Sequence, residues 1–154
     1  MSLHIVLFQP DIPGNSGTIL RMVSCLDLQL HIIEPAGFDI SDKSFKRAGM
    51  DYIANAHLVK HKSWQHFLHW KEETNKRLIL LTTKSETPYS DFNFNEEDLI
   101  LFGRESAGVP EYVHNNTYAS LTIPMKKDAR SLNLAMAVAM VTGEAIRQIN
   151  LIKN

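Results

Sequence analysis

With 154 residues the chain has the length of one globular domain, and 44% hydrophobic against 21% charged residues excludes a disordered, collagen-like or disulfide-built protein. Sixteen Lys and Arg against seventeen Asp and Glu leave a net charge of −1, so any surface for a polyanion has to be local. No apolar run reaches the roughly 20 residues that span a bilayer, and MSLHIVLF lacks the pattern of a secretory leader, which predicts a cytoplasmic protein.

Leu3 to Phe8 is a short apolar run closed by Gln9 and Pro10, followed by the Pro- and Gly-rich stretch PDIPGNSG. It predicts a strand and a structured loop. A helix follows over about Gly17 to Leu28, with Ile19, Leu20, Met22, Val23 and Leu26 on its apolar face and Arg21 pointing elsewhere. The single cysteine, Cys25, is expected in the core of that helix, because an unbridged thiol behaves as a small hydrophobe. Leu30 to Ile33 predicts a second strand, Ser41 to Gly49 a short helix with a basic face, and His57 to Lys60 a brief strand.

From Ser63 to Asn75 the spacing of Trp64, Phe67, Leu68 and Lys71 predicts an amphipathic helix with its aromatics in the core. Leu78 to Leu81 and Leu99 to Phe102 are continuous apolar runs, the pattern of strands covered on both faces. Ala119 to Ile123 is the last strand, and a long helix runs from Ser131 to about Ile149. Strands alternating with helices predict an α/β domain with a largely parallel sheet, and residues 1–154 show no linker or repeat that divides them.

From Leu132 to Val141 the only polar side chain is Asn133, so this helix has no face for water over nearly three turns. One side packs on the sheet, and the other predicts a homodimer through the C-terminal helix.

Three loops, TTKSETP, FGRESAGVP and IPMKKDARSLN, leave strands at the end where open α/β sheets place ligands. No G-x-G-x-x-G follows the first strand, and the G-x-x-x-x-G at Gly103 to Gly108 lacks the following Lys and Ser or Thr, which excludes a standard dinucleotide site or P-loop. His57 with His61 and His66 with His69 lack partners that complete a metal site, and no G-x-S-x-G elbow is present; no metal is expected.

PDIPGNSGTILR (Pro10 to Arg21), FGRESAGVP (Phe102 to Pro110) and IPMKKDARSLNLAMAVAMVTGEA (Ile123 to Ala145) resemble, in order, the three motifs of the SPOUT superfamily of RNA methyltransferases. HIIEPAGF, Lys46 to Gly49 with Asp51 and Tyr52, and LLTTK resemble more narrowly the tRNA (cytidine(34)-2′-O)-methyltransferase family. The resemblance covers essentially the whole chain.

It implies an α/β fold with a C-terminal deep trefoil knot, a dimer, and S-adenosyl-L-methionine as the methyl donor. It implies transfer to the ribose 2′-oxygen of the wobble nucleotide, cytidine or modified uridine, of leucine tRNAs, with the anticodon stem-loop as partner. Carried over by position, the cofactor-binding residues are Leu81, Thr82, Gly103, Glu105, Ile123, Met125, Ser131 and Leu132. The catalytic positions are Asn15, Arg21, Glu105 and Asn133, with Asn15 and Arg21 expected from the partner subunit. Arg21, Lys46, Arg47, Arg104 and Arg130 fall to the RNA surface, together with Lys43, Lys84, Lys126 and Lys127.

These residue types suit the chemistry. A ribose hydroxyl is a weak nucleophile, so the protein mainly aligns oxygen, methyl and sulfur and assists loss of a proton. Arg21 suits a phosphate contact rather than a general base, since arginine does not deprotonate in proteins. Where some family members carry a tyrosine on the last helix, this chain has Gly143, so no role of that phenol transfers. Two other readings remain: a related enzyme acting on another RNA site, and a module that binds cofactor or RNA without turnover.

Overall fold

The structure, a computed structural model, describes residues 3–39, 41–49 and 57–153. In chain order they form β1 (His4–Phe8), α1 (Pro13–Cys25), β2 (Gln29–Ile33), α2 (Lys43–Gly49), β3 (Leu58–His61) and α3 (Trp64–Thr74). They continue with β4 (Leu78–Leu81), a 3₁₀ turn (Tyr89–Asp91), β5 (Leu99–Phe102), α4 (Glu111–His114), β6 (Ala119–Leu121) and α5 (Leu134–Lys153). Asp51 and Tyr52 lie outside the described residues.

The six strands make one parallel sheet in the order β3-β2-β1-β5-β4-β6. The chain steps outward from β1 through β2 to β3, then crosses to the other half, so strand order reverses between β1 and β5. A crevice at the carboxyl ends of the strands beside such a reversal is where open α/β sheets take ligands.

Alternation within the apolar strands divides the core in two. Ile5, Leu7, Ile79, Ile100 and Phe102 pack under α1, α2 and α5, while Val6, Phe8, Leu80 and Leu101 meet Trp64 and Phe67 of α3 and Val113 of α4. Burying one such side chain contributes about 1.5–3 kcal/mol, so these two layers dominate the stability. Gly17 brings α1 against α2: a Cβ there meets the Phe45 carbonyl oxygen at 2.5 Å and the Ala48 Cβ at 2.7 Å.

β4 and β5 match their sequence expectation residue for residue, because an apolar run bounded by turn residues has one way to be buried. For α3, the Ser63 side chain accepts from the His66 N–H at 3.1 Å, and Asn75 closes the helix in the left-handed conformation. Other boundaries differ. Helix α1 begins at Pro13 rather than Gly17, since proline in the first turn is already set for a helix. It ends at Cys25, and both Cys25 and Leu26 are exposed, which corrects their expected burial: the turn that ends the helix carries them off its apolar face. Asp42, rather than Ser41, caps α2, its Oδ1 accepting from the Ser44 and Phe45 N–H groups. Helix α5 starts at Leu134 rather than Ser131, with Asn133 as its cap.

Beneath α3, His4, His31 and His61 on three neighbouring strands form a buried ladder. His4 Nδ1 meets His31 Nε2 at 2.8 Å, and His31 Nδ1 meets His61 Nε2 at 2.9 Å, against Phe67 and Trp70. Burial pushes His31 down to about 2 and His61 down to about 4.

Candidate active site

The three loops named from the sequence converge at the carboxyl ends of β4, β5 and β6. The Thr82 N–H donates to the Leu121 carbonyl at 2.9 Å, and Tyr89 N–H to the Thr122 carbonyl at 2.9 Å, which ties the first loop to the third. The second loop folds on itself: Arg104 N–H donates to the Gly108 carbonyl at 3.0 Å, and Gly108 N–H to the Arg104 carbonyl at 2.9 Å. Gly108 has φ +63°, and a Cβ on Gly103 meets Gly108 backbone at 2.7 Å, so this turn needs both glycines.

Between the loops lies a cleft of about 530 Å³, a volume typical of small-molecule sites. All eight expected cofactor positions line it: Leu81 and Thr82, Gly103 and Glu105, and Ile123, Met125, Ser131 and Leu132. Leu81, Phe102, Ile123 and Leu134 form apolar wall suited to a flat ring, while the exposed edges of the turning loops offer backbone amides and carbonyls.

Three of the four expected catalytic residues meet in one chain of hydrogen bonds. Asn15 Nδ2 donates to Glu105 Oε2 at 3.2 Å, and Asn133 Nδ2 donates to Asn15 Oδ1 at 3.1 Å. Asn133 Oδ1 also accepts from the Ala135 and Met136 N–H groups, so one side chain caps α5 and reaches the site. Within one chain, Asn15 thus meets both Glu105 and Asn133. Its position one turn into α1 aims it at the loop after β5, because β1 and β5 are neighbours.

Arg21, two turns further along α1, is exposed and does not line the cleft. Lys46, Arg47 and Arg130 are exposed as well, on α2 and on the loop before α5. Arg104 is turned inward: its guanidinium lies 5.5 Å from the Phe8 ring centre, and its Nε donates to the Gly108 carbonyl at 3.0 Å.

Asp11 is a site residue that sequence reasoning passed over. Its N–H donates to Glu105 Oε1 at 3.2 Å, and its Oδ2 accepts from the Ser106 hydroxyl. Its only signal is its place in the Pro-Asp-Ile-Pro loop four residues before Asn15. Burial, and then contact with Asp11, raises the Glu105 carboxyl above the usual range; contact with Glu105, and then with Ser106, lowers Asp11. Among the described residues no three His, Cys, Asp or Glu side chains are grouped to hold a metal ion, and no helix is long and apolar enough to cross a membrane.

The profile of the SpoU rRNA methylase family matches residues 2–143. The chain belongs to the SpoU methylase family. This SpoU methylase is 53% identical over 145 residues to the tRNA (cytidine(34)-2′-O)-methyltransferase of Beijerinckia indica, covering 94% of this chain and 91% of that one. Identity to the tRNA (cytidine(34)-2′-O)-methyltransferase of Escherichia coli is 40% over 149 residues, covering 96% and 94%. A structure solved in work on the 2-OH methylation of C/U34 on tRNA superposes with a TM-score of 0.89 at 41% identity, covering 96% of this chain and 95% of that one. The SpoU methyltransferase AviRb from Streptomyces viridochromogenes, in complex with AdoMet, superposes with a TM-score of 0.87 at 26% identity, over 94% of this chain and 59% of that one.

Proposed function

We propose that the protein transfers a methyl group from S-adenosyl-L-methionine to the ribose 2′-oxygen of the wobble nucleotide, cytidine or modified uridine at position 34, of leucine tRNAs. The observation that carries this reading is the cleft at the strand ends, where the eight expected cofactor positions surround the Asn15–Glu105–Asn133 chain. The two relatives that share 40% and 53% identity are named tRNA (cytidine(34)-2′-O)-methyltransferases, which supports a 2′-oxygen at position 34 of tRNA as the acceptor here.

The cleft fits the cofactor: it has room for a nucleoside with its amino-acid arm, an apolar wall for the adenine, and loop amides for the polar edges. When bound, the cofactor supplies a methyl group already activated on a sulfonium. Leu81, Thr82, Gly103, Ile123, Met125, Ser131 and Leu132 hold it, while Glu105, Asn15 and Asn133 sit where the reacting groups meet. The protein's main contribution is alignment.

Arg21 reaches the RNA from the partner subunit, clamps a phosphate beside the target ribose and favours negative charge developing on the 2′-oxygen. Lys46, Arg47, Arg104 and Arg130 extend the RNA surface, with Arg104 acting from its braced position over Phe8. The homodimer is supported by α5: Leu134, Val138 and Val141 are buried, while Met136 at 63% and Met140 at 43% exposure leave an apolar face open. In this reading residues 1–154 act as one cytoplasmic domain, and its C-terminal segment is threaded into a deep trefoil knot. The side-by-side packing of the three loops supports that threading.

The test is incubation of purified protein with labelled S-adenosyl-L-methionine and, separately, unfractionated tRNA and ribosomal RNA. Label in leucine tRNA, recovered as a 2′-O-methylated nucleoside, is the expected result. Label only in ribosomal RNA, or at another tRNA position, replaces the substrate, and cofactor binding without transfer replaces the enzyme with a binding module.

A further inference from the structure

Arg77 and Arg104 both lie over aromatic rings, one at each end of the sheet, and they are satisfied differently. At the amino ends of the strands, the Arg77 guanidinium stands 4.7 Å from the Tyr118 ring centre. It is fully engaged: Nε and Nη2 donate to the Asp98 carboxylate at 2.8 and 2.6 Å, and Nη2 donates to the Asn93 carbonyl at 3.1 Å. At the carboxyl ends, Arg104 stands 5.5 Å from the Phe8 ring centre and donates only Nε, to the Gly108 carbonyl at 3.0 Å. Among the described residues its Nη1 and Nη2 meet no acceptor, and no carboxylate pairs with it.

The same Phe8 ring holds Tyr112 of α4. Their centres are 6.4 Å apart with the planes at 68°, and Trp64 meets Tyr112 at 6.1 Å. Phe8 and Trp64 are buried, whereas Tyr112 is 47% exposed, so its ring is fixed by two others and still open to a ligand. Arg104 lines the cleft next to Glu105, and Val109, three residues before Tyr112, lines it as well. Helices α3 and α4 cover the sheet face opposite α5, so the proposed dimer contact leaves Tyr112 free.

A guanidinium whose terminal donors are unpaired suits a phosphate, and an exposed aromatic ring suits an unpaired base, since every base has a π face. Bracing by Phe8 and Gly108 has already fixed the arginine, so little side-chain freedom is lost on binding.

We propose that Arg104 and Tyr112 form a subsite for the nucleotide adjacent to the methylated one: Arg104 takes its phosphate through Nη1 and Nη2, and Tyr112 stacks its base. The subsite rests on the methyltransferase reading, which puts an unpaired RNA loop at the cleft. It holds a phosphate and a ring face rather than base edges, so it positions the loop without selecting a sequence.

The test is binding of a synthetic anticodon stem-loop of leucine tRNA, with affinity for S-adenosylhomocysteine measured alongside to report on the cleft. Tyr112→Leu keeps an apolar contact with Phe8 and Trp64 but has no π face, and is expected to bind the RNA about fivefold to a hundredfold more weakly. Tyr112→Phe is expected to bind like the parent, and both variants to keep the parent's affinity for S-adenosylhomocysteine. Arg104→Gln should lower the slope of log affinity against log salt by about 0.7. Tyr118→Leu, at the other end of the sheet, should bind the RNA like the parent.

Two further stem-loops lack the base on the 5′ or on the 3′ side of the target nucleotide. The parent should lose affinity for one of them, whereas Tyr112→Leu should bind that one and the intact RNA nearly equally. Parent-like binding by Tyr112→Leu, equal losses in Tyr112→Leu and Tyr112→Phe, or losses from base removal that are the same in the parent and Tyr112→Leu overturn the stacking role. An unchanged salt slope in Arg104→Gln overturns the phosphate contact. A parent that binds the stem-loop through Tyr112 but transfers no methyl to it overturns the methyltransferase reading and leaves the subsite standing. One that methylates the stem-loop with no dependence on Tyr112 overturns the subsite alone, and one that does not bind it overturns both.

Discussion

Asn15 and Asn133, 118 positions apart in the chain, lie 3.1 Å apart, with the Asn133 amide donating to the Asn15 carbonyl. The contact joins the start of α1 to the start of α5 and places both beside Glu105. Because Asn133 also caps α5, its two functions can be separated by substitution.

Asn133→Ala removes cap and amide together, and is expected to cost about 0.5–2 kcal/mol of stability as well as methyl transfer. Asn133→Asp keeps a cap acceptor but loses the donor to Asn15. Its thermal midpoint should stay near that of the parent while its transfer rate falls; equal stability loss in both variants contradicts the dual role.

Gly103→Ala places a Cβ 2.7 Å from Gly108 backbone and forces the turn of the second loop open. Calorimetry with S-adenosylhomocysteine should show affinity reduced by about tenfold or more, equivalent to at least about 1.4 kcal/mol, while circular dichroism of the fold is preserved.

The histidine ladder sets an acid limit on stability. His31 and His61 titrate at about 2 and about 4 in the folded chain, against 6.5 ordinarily, so below pH 6.5 the unfolded chain binds more protons. Stability is complete above pH 6.5 and is lost as pH falls, with about 2 kcal/mol from His31 alone between pH 8 and pH 5. Urea midpoints across that range should follow this trend, and His31→Phe should flatten it.

Met136 is 63% exposed on α5, so Met136→Lys leaves the monomer core intact but puts a charge in the proposed dimer contact. Sedimentation should show a monomer in place of a dimer, with methyl transfer lost because Arg21 no longer reaches the partner's cleft. A monomeric parent contradicts the dimer.

Arg21→Ala is expected to weaken tRNA binding and lower the slope of log affinity against log salt by about 1. Cofactor affinity should be unaffected, since Arg21 does not line the cleft.

The parts of the fold legible in the sequence were those set by local burial. LILL and LILF have no polar face and become β4 and β5 as expected, and Ser63 and Asn75 carry the end signals of α3 in their own side chains. Contacts across the sheet left no local trace. His4, His31 and His61 stack at separations of 27 and 30 residues, which no helical or strand period reports. The positions that line the cleft were legible through resemblance, whereas Asp11 was missed because it meets Glu105 94 positions away. The contact of Asn15 with Glu105 left no local trace either, because only the adjacency of β1 and β5 brings them together.

Methylation of the ribose oxygen at position 34 is measured most directly with two synthetic anticodon stem-loops of leucine tRNA. They are identical except that one carries a 2′-deoxyribose at that position. With labelled S-adenosyl-L-methionine, the ribose form should accept a methyl group, recovered by mass spectrometry as the 2′-O-methyl nucleoside at position 34, and the deoxy form should accept none. Equal incorporation into both, or incorporation into neither, contradicts the account.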